Sequence, residues 1–376
     1  MNRSPGALSE FFHNRCVTMT ELGPGLSVPA TFGDTDAEHI AVRNAAGVFD
    51  FSFMSCCELQ GPECVLFLNW LQTRDLSRLK AGRIVYTLLC RPDGSVFIDA
   101  TIWCLGRSHF WLFTGRRSDV EYIKSASKSF ETTVRNRSGD YGVIAVQGPN
   151  SGEILRGLGL LARGIELPYF CFEARSFKSA EVLLARIGYT GEYGYELLID
   201  ANRVVDLWQH VVREGSTFGL KECGFHAANS LRIEAGYILF TNELRYRITP
   251  YSLGYGRLVR HPVLHRYIGA SGLRKYHTRE PQVRLVGLVP VRGVDPASAM
   301  HREGDQDDWV RPPPVADGRM CLTSLAWSPL FRRWLGMGYV HSRNRYPGTQ
   351  VEGADGMKAR VMRLPFFDPP RVRVRD

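Results

Sequence analysis

Hydrophobic and polar positions along the first two thirds of the chain switch between a helical and a strand period. Residues 65–71 follow Gly61-Pro62-Glu63, a helix-opening set, and their apolar members Leu66, Leu68 and Trp70 predict a helix. Residues 86–90 and 96–105 read as strands on either side of Arg91-Pro92-Asp93-Gly94, a hairpin turn, and residues 110–114 as the next strand. The apolar run 141–147 stops at Gly148-Pro149-Asn150. Residues 204–212 and 227–235 are helical in pattern. The segment 294–315 changes character: Asp295-Pro296, Gly304-Asp305-Gln306-Asp307-Asp308 and Pro312-Pro313-Pro314 predict an exposed loop. Beyond it, residues 320–364 read as short strands separated by turns. The expected architecture is α+β over residues 1–275 and a small C-terminal β-barrel domain over residues 276–376.

Composition changes this picture little. At 376 residues the chain is long enough for more than one domain and for a core that needs no staples. Its nine cysteines form no CxxC pair, their number is odd, and Cys64 lies in the apolar run Cys64-Val65-Leu66-Phe67-Leu68, which points to buried free thiols in a reducing compartment. No basic segment followed by an apolar one opens the chain, and no apolar stretch is long enough to span a bilayer. A cytoplasmic protein without a membrane partner is expected. The net charge of +9 is spread over Arg116-Arg117, Arg332-Arg333 and the tail Arg371-Val372-Arg373-Val374-Arg375. It forms no basic stripe interleaved with aromatics, so a solvated surface that attracts anionic ligands explains it better than nucleic acid.

Several familiar chemistries fall away. There is no GxxxxGK[ST] loop and no GxSxG elbow. Gly157-x-Gly159-x-x-Ala162 lies within a helical run rather than after a strand, so it is no dinucleotide fingerprint. His261 and His265 are four apart, but Pro262 interrupts the helix they would need and no acid stands between them, so no metal site is assigned.

Other residues carry chemistry of their own. In the run from Gly188 to Glu196, glycines flank Glu192 between aromatics; this is either a turn joining two strands or a place where a flat ring approaches the backbone. Asp99 sits between the apolar runs Val96-Phe97-Ile98 and Ala100-Thr101-Ile102-Trp103, where a carboxylate needs a partner or a purpose. Arg232 lies on the 227–235 helix, two residues before Glu234, as a solvated charge or as part of a site. Tyr86 and Tyr189 are aromatic positions that serve either a core or a ring-binding wall.

Four segments, in order and spacing, resemble the glycine cleavage T-protein (aminomethyltransferase) family. They are Gly47-Val48-Phe49-Asp50-Phe51-Ser52-Phe53-Met54 with Gly61-Pro62; Tyr86 through Gly94-Ser95-Val96-Phe97-Ile98-Asp99; Val146-Gln147-Gly148-Pro149 with Gly188-Tyr189-Thr190-Gly191-Glu192-Tyr193-Gly194-Tyr195-Glu196; and Leu231-Arg232-Ile233-Glu234-Ala235-Gly236, with an echo in Thr323-Ser324 and Ser328-Pro329. The resemblance implies a T-protein-like folate-binding fold of two intertwined α+β subdomains, and tetrahydrofolate as acceptor or co-substrate. It implies that Asp99 faces the reactive nitrogen of tetrahydrofolate. Glu192 would accept from the paired N–H donors of the pterin edge. Arg232 would line the pterin site and pair with Glu192 or the ring carbonyl, and Tyr86 and Tyr189 would form the ring's walls.

Four positions depart from the family pattern: Phe53 stands for a histidine, Ile98 for an aspartate, Gly115 for an asparagine and Arg257 for a tryptophan. If Phe53, Gly115 and Arg257 line the donor side, two hydrogen-bonding groups are lost and a fixed charge is gained. The first expectation is therefore methyl transfer from a small methylated donor to tetrahydrofolate, a demethylase. The second is an aminomethyltransferase served by a carrier protein. A non-catalytic folate-binding or maturation protein is a third; the Lys-Gly-Cys-Tyr-x-Gly-Gln-type segment of the iron–sulfur maturation relatives is not found here.

Overall fold

The Cys64–Leu71 helix buries Cys64, Phe67, Leu68 and Leu71, one stripe at positions i, i+3, i+4 and i+7, and leaves Leu66 and Trp70 exposed. In this computed structural model, which describes residues 7–22, 26–162, 164, 166–292 and 312–369, that stripe packs on a five-stranded antiparallel sheet. The sheet runs in the order Arg83–Cys90, Val96–Gly106, His109–Thr114, Ser55–Gln60, Thr133–Asn136. Strand alternation divides its faces: Ile98, Ala100, Ile102 and Cys104 meet the helix, while Asp99, Thr101 and Trp103 point the other way.

A second, six-stranded sheet has the order Phe172–Phe177, Ala180–Ala185, Gly194–Asp200, Tyr141–Gln147, Ala46–Asp50, Leu220–Glu222; only its last pair is parallel. One face carries Ile144, Val146, Tyr195, Leu197 and Ile199 against the Ser151–Gly157 and Val204–Gly215 helices. The opposite face carries Val143, Ala145, Ala185 and Leu198 into a cluster with Trp103, Trp111 and Phe113 of the first sheet and Ala227, Ala228 and Leu231 of the Phe225–Glu234 helix. The two sheets thus share one apolar layer. Gly148 ends the Tyr141–Gln147 strand at φ +125°, and a Cβ there would stand 2.6 Å from the Ala45 carbonyl oxygen, so the turn requires glycine. The expected strands and helices form, several with shifted ends: the strand expected from residue 86 begins at Arg83, the helix expected at 204–212 runs to Gly215, and the one expected at 227–235 spans Phe225–Glu234.

The C-terminal region departs from expectation. Its strands form a five-stranded antiparallel sheet in the order Met320–Ser328, Arg333–His341, Val283–Arg292, Lys358–Met362, Gln350–Glu352. Among the described residues the two edge strands approach each other at a single bridge, Arg319 with Glu352, and no ladder closes the sheet into the expected barrel. Most of the loop expected at 294–315 lies outside the described residues, as does the basic tail at 371–375. All nine cysteines are free thiols, eight of them buried.

A buried ion pair fastens this sheet to the body. The Arg232 guanidinium, on the Phe225–Glu234 helix, donates to Glu243 at 2.9 Å and to the Ser324 hydroxyl at 2.6 Å. Glu243 in turn accepts from Thr323 and Ser324 at 2.6 Å each and from the Leu239 amide at 2.8 Å. Both side chains of the pair are fully buried. Arg232→Met leaves Glu243 without its counter-charge, and we expect a loss of about 3–5 kcal/mol in urea unfolding. A loss below about 1 kcal/mol would mean that the pair does not hold the sheet.

Candidate active site

Asp99 sits on the face of the first sheet that meets the second. Its Oδ2 accepts from the Tyr86 hydroxyl at 3.2 Å. Enclosure by protein raises its pKa to about 6, against the Tyr86 hydrogen bond and the nearby Arg116 charge, which both favour the carboxylate. The residue nonetheless stays partly open to solvent. Half-buried aromatics surround it. Tyr255 meets Tyr86 edge-on with ring centroids 6.2 Å apart, and Tyr189 stacks on Tyr237 at 6.1 Å. The Tyr189 hydroxyl is anchored on the Ile238 carbonyl at 2.7 Å. A carboxylate titrating near neutrality in an aromatic recess suits proton transfer to or from a nitrogen.

Glu192 lies on the glycine turn after Tyr189, where Arg43 pairs with it at 3.3 Å. Arg43 belongs to the Thr35–Asn44 helix and also holds Glu234 at 2.6 Å and the Thr190 carbonyl at 2.9 Å, with its guanidinium 3.8 Å from the Phe367 ring centroid. Burial works against the Glu234 carboxylate, but His39, Arg43 and Ser328 hold its pKa below the ordinary glutamate value. Arg232 takes no part in this network. It is fully buried, and its donors go to Asn229, the Tyr237 carbonyl, Glu243 and Ser324. The expected pairing of Arg232 with Glu192 is thus corrected: Arg43 makes it, and Arg232 is held by Asn229 of its own helix, by Tyr237 and Glu243 of the following loop and by Ser324 of the C-terminal sheet.

The three positions expected on the donor side are scattered by role. Gly115 backs onto Phe240: a Cβ there would stand 2.2 Å from the ring, so the ring fills the space a side chain would need. Phe53 is half-buried among three apolar clusters and meets Phe51 edge-on at 6.1 Å. Arg257 is exposed on the short Gly256–Leu258 turn, next to Tyr255.

Sequence reasoning passed over Glu196. It lies on the Gly194–Asp200 strand opposite Ala145 and Ala185, on the face turned toward Trp103 and Ala228, and is 6% exposed. No described residue hydrogen-bonds or ion-pairs with its carboxylate, and burial alone raises its pKa to about 7. Asp99 and Glu196 therefore project into one layer from facing sheets. The sequence signal was present, an isolated acid in the apolar run Tyr195-Glu196-Leu197-Leu198, and is the same signal that singles out Asp99.

A raised carboxyl pKa means that the folded state favours the protonated form. The stability Glu196 contributes is complete below its ordinary value of 4.5 and is lost as pH rises through about 7. Thermal melts of Glu196→Gln should therefore gain on the parent between pH 5 and pH 8, by on the order of 2–3 kcal/mol. A pH-independent difference would mean that Glu196 has a partner in solution.

Comparison with known proteins identifies the family. The model of the GCVT N-terminal domain matches residues 9–262. An aminomethyltransferase of Halothermothrix orenii is 33% identical over 91% of this chain and 94% of its own length, and one of Streptomyces coelicolor is 32% identical over 93% and 94%. The crystal structure of glycine cleavage system aminomethyltransferase T from Bartonella henselae is 23% identical and covers 96% of this chain and 97% of its own, with a TM-score of 0.79, so the fold is shared. The chain belongs to the glycine cleavage T-protein (aminomethyltransferase) family.

Proposed function

We propose that this chain is a tetrahydrofolate-dependent aminomethyltransferase, with Asp99 as the catalytic group and Glu196 as the main anchor of the pterin. The observation that carries the reading is the pair of underserved acids, Asp99 in its aromatic recess and Glu196 in the apolar layer between the sheets, with pKa values raised to about 6 and about 7. A flat ring rich in N–H donors fits such a place, because an ionised Glu196 can accept from two adjacent donors that no described residue supplies. Tyr86, Tyr189, Tyr237 and Tyr255 provide the walls.

Tetrahydrofolate supplies the nitrogen that accepts the one-carbon unit. Asp99 would orient the N–H at that atom and, while ionised, stabilise the positive charge the nitrogen gains as its bond to the carbon forms; passing the N–H proton to Asp99 would then neutralise both groups. Tyr86 holds the Asp99 carboxylate in place through its hydroxyl. Glu192, with Arg43, sets the turn that carries Tyr189. Arg232 supports the pterin site from behind, by fixing the loop on which Tyr237 and Ile238 sit.

The donor reading shifts from the first expectation to the second. A small methylated donor rested on hydrogen-bonding groups lost at Phe53 and Gly115 and a fixed charge gained at Arg257, if these line the donor side. Phe240 fills the place beside Gly115, and Phe53 packs among apolar clusters, which weakens that ground. The relatives that span the chain carry the aminomethyltransferase name, which favours an aminomethyl group delivered by a carrier protein. Incubation with tetrahydrofolate and an aminomethyl-loaded lipoyl carrier should release ammonia and form methylene-folate. Methyl-folate formed from a small methylated amine, with no turnover of the carrier, would restore the demethylase reading.

Asp99→Asn keeps the shape and removes the charge. It should leave tetrahydrofolate affinity within about threefold while lowering turnover on the order of a hundredfold or more. Unchanged turnover by a correctly folded variant would remove Asp99 from the chemistry.

A further inference from the structure

The turn from Gly188 to Gly194 joins the Ala180–Ala185 and Gly194–Asp200 strands, with Tyr189 near its start and Glu196 just beyond its end. What approaches its glycines is a side chain of the protein itself. Gln147 ends the Tyr141–Gln147 strand, and its amide is fully buried between Gly188 and Gly194. A Cβ at Gly194 would stand 2.5 Å from the amide carbon, and one at Gly188 would overlap the amide oxygen. A side chain at either place would expel the amide from a close-packed interior.

The amide is satisfied by the turn alone. Its Nε2 donates to the Ile187 carbonyl at 3.2 Å and to the Tyr195 carbonyl at 3.3 Å. Its Oε1 accepts from the Thr190 hydroxyl at 3.0 Å, and that hydroxyl accepts from the Glu192 amide at 3.3 Å. One side chain therefore holds the carbonyls on both sides of the turn and, through Thr190, its middle. The pattern needs two donors and an acceptor on one flat group, which a side-chain amide supplies. The last ladder pair between the two strands is Ala185 with Glu196, so residues 186–193 lie outside that ladder. The two carbonyls bracket the proposed pterin contacts: Ile187 precedes Tyr189 by two residues, and the Tyr195 carbonyl belongs to the peptide that leads into Glu196. With no partner for its carboxylate among the described residues, Glu196 is aimed by its backbone.

We infer that Gln147 is a positioning residue for folate, whose amide fixes Glu196 relative to Tyr189 before the ring arrives. This rests on the reading of Glu196 as the pterin anchor. Such preorganisation appears in affinity, because binding then does not have to order the turn. Asp99 lies on the other sheet with its own support from Tyr86, outside the reach of this amide's hydrogen bonds.

A double-mutant cycle separates positioning from mere support. Gln147→Met keeps the length and removes all three hydrogen bonds; Thr190→Val keeps the shape and removes one hydroxyl. Tetrahydrofolate affinity is measured by calorimetry for each, for Glu196→Gln, and for each combined with Glu196→Gln. In the parent, Gln147→Met should weaken binding by about tenfold and Thr190→Val by about fourfold. In the Glu196→Gln background both losses should shrink to within about twofold, because the carboxylate being aimed is gone. Equal losses in the two backgrounds would make Gln147 a structural residue only and overturn the inference. Parent-like affinity in both variants overturns it as well, while weakened binding by Glu196→Gln leaves the folate reading standing. Parent-like affinity in Glu196→Gln removes the anchor, and the inference with it. Should Gln147→Met fail to fold, the same comparison on Thr190→Val decides.

Discussion

The buried Arg232–Glu243 pair ties the Phe225–Glu234 helix, the loop after it and the C-terminal sheet together. A buried ion pair holds only if its remaining donors and acceptors are satisfied. Here they are satisfied by groups from three otherwise separate places: Asn229 on the same helix, the Tyr237 carbonyl and Leu239 amide of the following loop, and Thr323 and Ser324 of the C-terminal sheet. Tyr339 adds a hydrogen bond from its hydroxyl to the Glu243 carbonyl at 2.6 Å. Satisfying one guanidinium therefore fixes a helix, a loop and a sheet relative to each other. The loop so fixed presents Tyr237 to Tyr189, the Ile238 carbonyl to the Tyr189 hydroxyl, and Phe240 to Gly115. The walls of the recess are consequences of the pair.

The distribution of buried acids then separates structure from chemistry. Glu38 accepts from Thr31, the Phe32 amide and the Gly224 amide; Glu234 is held by Arg43, His39 and Ser328; Glu243 is held by Arg232, Thr323 and Ser324. Each is fully served by the protein. Asp99 has one tyrosine, and Glu196 has no partner among the described residues. A fold that answers three buried carboxylates so completely and leaves two in one layer marks those two as candidates for binding something that is not protein.

Local pattern carried much of this into the sequence. The Cys64–Leu71 helix and the Tyr141–Gln147 strand are visible in periodicity because their partners are whole apolar faces, which many residue choices satisfy. Asp99 is visible because it interrupts such a face. Glu196 interrupts one equally, but the glycine-flanked Glu192 four residues earlier draws the same role to itself, and only Arg43 from a distant helix shows that Glu192 is already engaged. The partners of Arg232 and the obstruction at Gly115 are set by Glu243, Ser324 and Phe240, groups whose approach depends on tertiary contacts that no local window contains. Whether the C-terminal strands close depends likewise on hydrogen bonds between its two edges, which strand periodicity does not encode.

In the proposed reading Glu196 holds the pterin only when ionised, and its pKa of about 7 makes that a matter of protons. The direct measurement is the proton balance of tetrahydrofolate binding at pH 7, by calorimetry in buffers of different ionisation enthalpy. The parent should release about half a proton on binding, and Glu196→Gln should bind more weakly and release correspondingly less. Equal proton release and equal affinity in parent and variant would contradict the account, because the unpaired carboxylate would then have no part in holding the ring.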